Sequence, residues 1–318
     1  MLSALMVKEA LLSHAKRLGF DDCRVSAAVF LEEEAPSLEA WLRADRHGSM
    51  RYMENHFDKR LDPRLLVPGA KSVISLRLNY FPVEEPSPTG SPKISRYAYG
   101  EDYHTVVKDK LFALLESWKS DVGSIEGRCF VDSAPVLERA WAKRSGVGWV
   151  GKNAMVLTKG VGSYYFLAEL IVDIEVLPDS PVFDHCGTCT RCLDACPTQA
   201  IVAPSVIDSN KCISHATIEL HDAVPASMRA DLHGWAFGCD ICQEVCPWNR
   251  HSTPHKETRF SPTEGWTSWA PEVWKELSEE TFGRVFGKSA LQRAGYKKLL
   301  STLRIIEPVG QPPEAPRT

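Results

Sequence analysis

Eight of the ten cysteines in this 318-residue chain stand where sulfur could do chemistry together. Cys186, Cys189, Cys192 and Cys196 follow the pattern C-x2-C-x2-C-x3-C, with Pro197 after the last. That spacing holds one [4Fe-4S] cube with three thiolates and sends the fourth to a second cube. The remaining thiolates are supplied by Cys212, Cys239, Cys242 and Cys246, the last again followed by a proline. The pairing inferred is Cys186, Cys189, Cys192 and Cys246 on cluster one, and Cys196, Cys212, Cys239 and Cys242 on cluster two. Zinc is the competing reading. Four-cysteine zinc sites come as two separated pairs, without a third cysteine at the same short step. A disulfide framework is the weaker alternative, since clustered cysteines in a long chain without a signal peptide read as metal ligands.

A second stretch that could carry chemistry is CFVDSAPVLERAWAKRSGVGWVGKNAMVL, from Cys129 to Leu157. Asp132 falls at a predicted strand-to-helix turn. The plainer reading of Asp132 or Ser133 is a helix cap, because short polar side chains accept from the first free amides of a helix. Gly146, Gly148 and Gly151 follow a helix and lead into a strand, the reverse of a dinucleotide fingerprint. They predict a close approach of the backbone to something bulky. Two adjacent cubes make a short wire for single electrons, and a wire must end at an acceptor. Flavin, cobalamin and a bound substrate all remain open on the residues alone.

Several elements must position these groups. Ala4, Val7, Leu11, Ala15 and Leu18 recur at helical spacing over residues 3–18. Short strands are predicted over 21–27 and 129–131, longer ones over 72–79 and 164–176, and helices over 37–44, 105–120 and 135–145. The Pro-, Ser- and Gly-rich stretch 82–92 reads as an exposed loop, and the terminal QPPEAPRT as disordered. The alternation gives an α+β chain in three parts. These are a mixed α/β domain over 1–177, a two-[4Fe-4S] domain over 178–250, and a short helical segment with a disordered tail over 251–318.

The net charge of −4 argues against general coating of nucleic acid and leaves a local basic surface open. No stretch reaches the ~18 apolar residues of a membrane span, and the first residues read as an amphipathic helix and not a signal. A cytoplasmic protein without a membrane partner is expected.

Together these pieces resemble epoxyqueuosine reductases, iron–sulfur and cobalamin enzymes of tRNA modification. The resemblance rests on RLDPRLLVPGAKSVI, YAYGEDYH, FVDSAPVLERAWAKRSGVGWVGKN, GSYYFLAEL, CGTCTRCLDACPTQAI, CISHATIEL and GCDICQEVCPWNR. It implies an N-terminal domain like that of reductive dehalogenases, holding cobalamin base-off, packed on a ferredoxin-like domain with two [4Fe-4S] clusters. It implies reduction of an epoxide to an alkene on the wobble nucleoside of tRNA, with one oxygen leaving as water. The partners implied are tRNA carrying epoxyqueuosine and an external low-potential electron donor; the expected working form is a monomer. Residues 251–318 leave little room for the helical-repeat extension of longer family members.

Asp132 matches the family's proposed proton donor. An opened epoxide leaves an alkoxide that needs a positioned acid, and burial against a corrin face would keep that acid protonated. The cofactor-binding candidates are Arg60, Asp132, Lys152, Asn153, Ser214 and Asp240. Arg60 has a surface salt bridge as its plainer reading. Two departures stand out: His215 where the family shows an aromatic residue, and Ile241 where it shows an acid. A histidine ligand to cobalt from His215 is the disfavoured reading. Candidate RNA contacts are Arg139, Lys143, Arg144, Arg293, Lys297, Lys298 and Arg304, with Trp149, Tyr97 and Tyr103 as stacking partners. The rival functions are cobalamin-dependent reduction of a small molecule and a non-catalytic electron carrier.

Overall fold

The computed structural model describes residues 3–83 and 88–306. The predicted tail 311–318 and part of the loop 82–92 lie outside the described residues. The core is a four-stranded sheet of β1 (Asp22–Ala27), β2 (Ser72–Asn79), β3 (Gly127–Phe130) and β4 (Tyr165–Val172), in the order β1-β2-β4-β3. Every pairing is antiparallel, so the helices between strands are not crossovers of a parallel sheet and the class is α+β.

Side chains alternate across the sheet, and each face has its own cover. Ile74, Leu76, Leu78, Ala168, Leu170 and Val172 pack on one face with α1 (Ala4–Arg17) and α3 (Tyr103–Val122). Val106, Val107, Leu111, Leu114, Leu115 and Trp118 form the buried stripe of α3. Each such side chain contributes about 2 kcal/mol on leaving water. Val73 and Ile171 point the other way, toward α2 (Ala35–Arg43) and α4 (Glu138–Ser145). On that second face the alternation also places Ser75 and Glu169, both fully buried.

The cysteine-bearing segment is stitched to the N-terminal elements. Trp235–Phe237 pairs in parallel with Lys93–Ile94. Buried Asp240 accepts from Ser95 Oγ and from the Arg96 amide at 2.9 Å, and its burial pushes its carboxyl up. Asn249 Oδ1 accepts from the Ser163 amide at 2.6 Å. The C-terminal elements, with Trp266, Trp274, Phe282 and Phe286, bury Ile94, Tyr99 and Phe237 in a common cluster. No helix among the described residues is long and apolar enough to cross a membrane.

The glycine run lies close against other backbone. A Cβ on Gly146 would lie 2.2 Å from the Ser180 carbonyl oxygen, and one on Gly148 2.2 Å from that of Leu157. The bulky neighbour is this chain's own backbone. Gly146 also ends α4 in the left-handed conformation at φ 85°.

Candidate functional site

The two cysteine groups occupy different surroundings. Cys186, Cys189, Cys192 and Cys246 line one cavity of about 240 Å³ together with Lys152, Asn153 and Trp248. Cys189 is exposed. The other group is deeper: burial, then the field of neighbouring sulfurs, pushes the Cys239 and Cys242 thiols up. The sulfurs that raise Cys239 are Cys212 and Cys196, and those that raise Cys246 are Cys186 and Cys189. Thiols so crowded ionise only with positive charge between them, which suits a metal cluster. Among the described residues no three His, Cys, Asp or Glu side chains converge on a single-ion site. A cube spreads its four thiolates wider than one ion does, so the donor set fits cubes.

Lys152 and Asn153 serve the cysteine loops. Lys152 Nζ donates to the Gly187 and Cys189 carbonyls at 2.8 and 2.9 Å. Asn153 Nδ2 donates to the Cys242 carbonyl at 3.1 Å. One residue therefore braces the outer group and the next the inner. Ser214 lies half-buried on the short Ile213–Ile218 helix beside Cys212. Arg60 is buried, and its guanidinium donates to the Tyr52 and Asn55 carbonyls at 2.8 and 3.2 Å. It makes no ion pair among the described residues; it holds the loop that carries Tyr52. His215 Nε2 is taken by Ser49, whose amide lies at 3.1 Å and hydroxyl at 2.8 Å.

Asp132 is not a helix cap. The cap of α4 is Leu137, and Asp132 sits upstream with a left-handed φ of 52°. Its amide donates to Glu138 Oε1. Its carboxylate accepts from Tyr103 Oη at 2.5 Å and lies 3.2 Å from His104 Nε2. The other ring nitrogen of His104 lies 2.7 Å from Asp102 Oδ1, and Arg293 reaches the same ring. The Asp132 side chain is 58% exposed. Tyr52, Tyr97 and Glu219 lie within the field of its charge.

The electrostatics reverse one expectation. Burial pushes the Asp132 carboxyl up, but the hydrogen bonds from His104 and Tyr103 and the charge of Arg293 outweigh it, so the net shift is downward. For His104 burial pulls down, and its contacts with Asp102 and Asp132 win, so the imidazolium is favoured. Both shifts favour the ionised pair, the opposite of a carboxyl kept neutral by desolvation alone.

Of the RNA candidates, Trp149 is buried against Trp248 and His185. Lys298 is also buried, and its ammonium donates to the Asp222 carbonyl at 2.6 Å. Neither is a surface contact: apolar packing claims the first, a backbone acceptor the second. Lys143 and Arg144 face Glu34 and Glu33. Arg139 donates to the Ala154 carbonyl. Arg293 and Lys297 remain exposed on α7 (Leu291–Leu303) and Arg304 at its C-cap, one helix beyond α6 (Glu279–Phe286) and two beyond α5 (Pro271–Lys275). Sequence reasoning passed over His104, Glu138 and Glu169. An acid in the otherwise apolar strand YFLAELIV was the available signal.

The 4Fe-4S double cluster binding domain family matches residues 185–249, and the family described as "Epoxyqueuosine reductase QueG, DUF1730" matches residues 60–133. An epoxyqueuosine reductase of Cellulophaga algicola is 56% identical over 295 residues, covering 93% of this chain and 96% of that protein. The Escherichia coli epoxyqueuosine reductase is 41% identical over 295 residues, with 91% of this chain and 77% of that protein covered. A crystal structure of epoxyqueuosine reductase with an epoxyqueuosine-modified tRNA stem loop superposes with a TM-score of 0.88 at 31% identity, over 95% of this chain and 81% of that one. The Bacillus subtilis enzyme, captured with its catalytic aspartate loop swung out of the active site, gives 0.87 at 31% identity, over 95% of this chain and 81% of that one. This chain belongs to the epoxyqueuosine reductase family.

Proposed function

We propose that the chain reduces epoxyqueuosine to queuosine at the wobble position of tRNA, with two [4Fe-4S] clusters and cobalamin as its redox groups and Asp132 as the proton donor. The observation that carries this is the exposed Asp132 carboxylate held by Tyr103 and His104, in a chain similar to an epoxyqueuosine reductase crystallised with an epoxyqueuosine-modified stem loop. Tyr97, in ring contact with Tyr103 at 5.9 Å and Phe237 at 6.0 Å, lies in the fields of both Asp132 and Asp240, the residue after Cys239, which supports a site between Asp132 and the inner cysteine group. The ligands are the two groups of four already described. An external low-potential donor delivers electrons on the side of exposed Cys189.

The residues that would hold cobalamin are Tyr52, Tyr97 and Glu219, which lie in the field of Asp132, and Ser214 beside Cys212; His215 is engaged by Ser49. When bound, cobalamin would supply a strongly reducing cobalt centre for opening the epoxide. The chain's own residues handle protons. The Asp132 carboxylate first takes the proton of the His104 imidazolium in contact with it, and as the carbon–oxygen bond breaks the developing alkoxide takes that proton from Asp132. Two electrons and two protons convert the epoxide to an alkene and water. Tyr103, stacked on Phe166 with the rings 4.2 Å apart, fixes the carboxylate's position. Asp132 and its loop are read as the counterpart of the loop that swings in the Bacillus subtilis relative. Exposed Arg293, Lys297 and Arg304 are the phosphate contacts.

The test is anaerobic reconstitution with iron, sulfide and cobalamin, then treatment of tRNA carrying epoxyqueuosine. The anticodon nucleoside should become lighter by one oxygen atom. Unchanged nucleoside together with turnover of a small halogenated substrate would move the chain to the rival reading.

A further inference from the structure

Glu169 occupies the middle of β4, opposite Ser75 of β2 and Phe130 of β3, and has no exposed surface. Beneath α4 it meets Glu138, and neither acid makes an ion pair among the described residues. Among the described residues no donor reaches either Glu169 carboxylate oxygen, and the Ser75 hydroxyl beside it has no hydrogen-bond partner. The charged or titratable groups facing the two acids are Asp132 from the preceding loop, His104 and Tyr103 from α3, and Arg139 from α4. Arg139 gives a hydrogen bond to the Ala154 carbonyl and none to either acid.

Two ionised carboxylates in contact have acceptors only, so a hydrogen bond between them requires a proton on one. Burial pushes both acids up; Glu138 pushes Glu169 further, while the contact with Glu169 pulls Glu138 back down, as for a donor and its acceptor. A bare charge in this apolar interior would be costly, whereas a shared proton removes the conflict. An apolar side chain would fill the Glu169 slot with no such constraint. What the acid adds is a rigid partner for Glu138, and Glu138 in turn accepts the Asp132 amide. Asp132 needs that hold, because a non-glycine residue at φ 52° is not in its own preferred conformation.

We propose that Glu138 and Glu169 share a proton and form a latch that positions the Asp132 loop at the reaction site. They are positioning residues and touch neither substrate nor cofactor. With the proton present, Glu169 donates to Glu138 and keeps Glu138 Oε1 on the Asp132 amide. With both acids ionised they repel, Glu138 turns away, and the loop is released. The proposal rests on the reading of Asp132 as proton donor.

Two variants test it by amide hydrogen exchange over residues 131–135, measured on the anaerobically reconstituted protein and independent of turnover. Glu169→Leu fills the slot but cannot donate, and the loop amides should exchange about tenfold faster or more, as expected for local opening. Glu169→Gln keeps a donor that cannot ionise. Its loop should stay protected and lose the wild type's faster opening at alkaline pH, over and above the intrinsic pH dependence of exchange. In turnover, Glu169→Leu should lower kcat with KM for tRNA unchanged. Loop protection in Glu169→Leu equal to wild type would overturn the latch. If Glu169→Leu does not fold, a Glu169→Gln loop that still opens with alkaline pH as wild type does would overturn it. Failure of the wild type to convert tRNA would overturn the proposed function and leave the exchange result to judge the latch separately.

Discussion

Lys152 makes the most direct link between a single side chain and one cysteine group. Its ammonium donates to two carbonyls of the outer loop, Gly187 at 2.8 Å and Cys189 at 2.9 Å. Hydrogen bonds from a charged donor contribute about 1.5–3 kcal/mol each when sheltered. The site is partly open to water, so about 1 kcal/mol apiece is the fairer figure after screening. Lys152→Met keeps the apolar stem and removes both bonds, a loss of about 2 kcal/mol or a factor of about 30 in loop opening. The assay is iron release to a chelator from the anaerobically reconstituted protein, followed optically. Release in wild type should have an outer and an inner phase, and Lys152→Met should speed the outer phase by that factor and spare the inner. Asn153→Ala is the mirror control, since its single bond goes to the Cys242 carbonyl of the inner group at 3.1 Å. Equal release from Lys152→Met and wild type, or equal acceleration of both phases, would refute the assignment of this clamp to the outer group.

Three other perturbations separate the remaining roles. Asp132→Asn should retain iron and cobalamin and lose about 10²–10⁴ in kcat, the range for a positioned acid, as read by single-turnover nucleoside analysis. The rate should be highest while His104 holds its proton and fall as pH rises through its elevated value, because the donor form is then lost; His104→Gln should be slow and lack that limb. Asp240→Ala should lower stability by about 3 kcal/mol in thermal unfolding, because it strips the buried acceptor from Ser95 and Arg96.

The long strands β2 and β4 and the helices α1 and α3 were legible because their apolar residues recur over several turns or alternations. The paired cysteine groups were legible for a stronger reason: ligand spacing around a cluster is set by local loop geometry. Asp132 was visible through its motif, but its protonation state was not. Desolvation alone predicts a neutral acid, and only the arrival of Tyr103, His104 and Arg293 reverses it. Arg293 and His104 are 189 residues apart, a separation no local pattern reports. Lys152 and Asn153 were singled out as cofactor-binding candidates, while their acceptors, two backbone carbonyls of the outer loop and one of the inner, were not visible. Backbone carbonyls carry no residue-type signal.

Sequence by itself therefore determined the chemistry available: eight thiols in two spaced runs and one acid at a strand-to-helix turn. Tertiary structure decided how that chemistry is governed. It set which carbonyls brace each cysteine loop, which donors hold Asp132 ionised, and which buried acid stands behind it. The physical reason is that spacing along the chain constrains neighbours within a turn or two, whereas the field at a carboxylate sums over whatever the fold brings within a few ångströms.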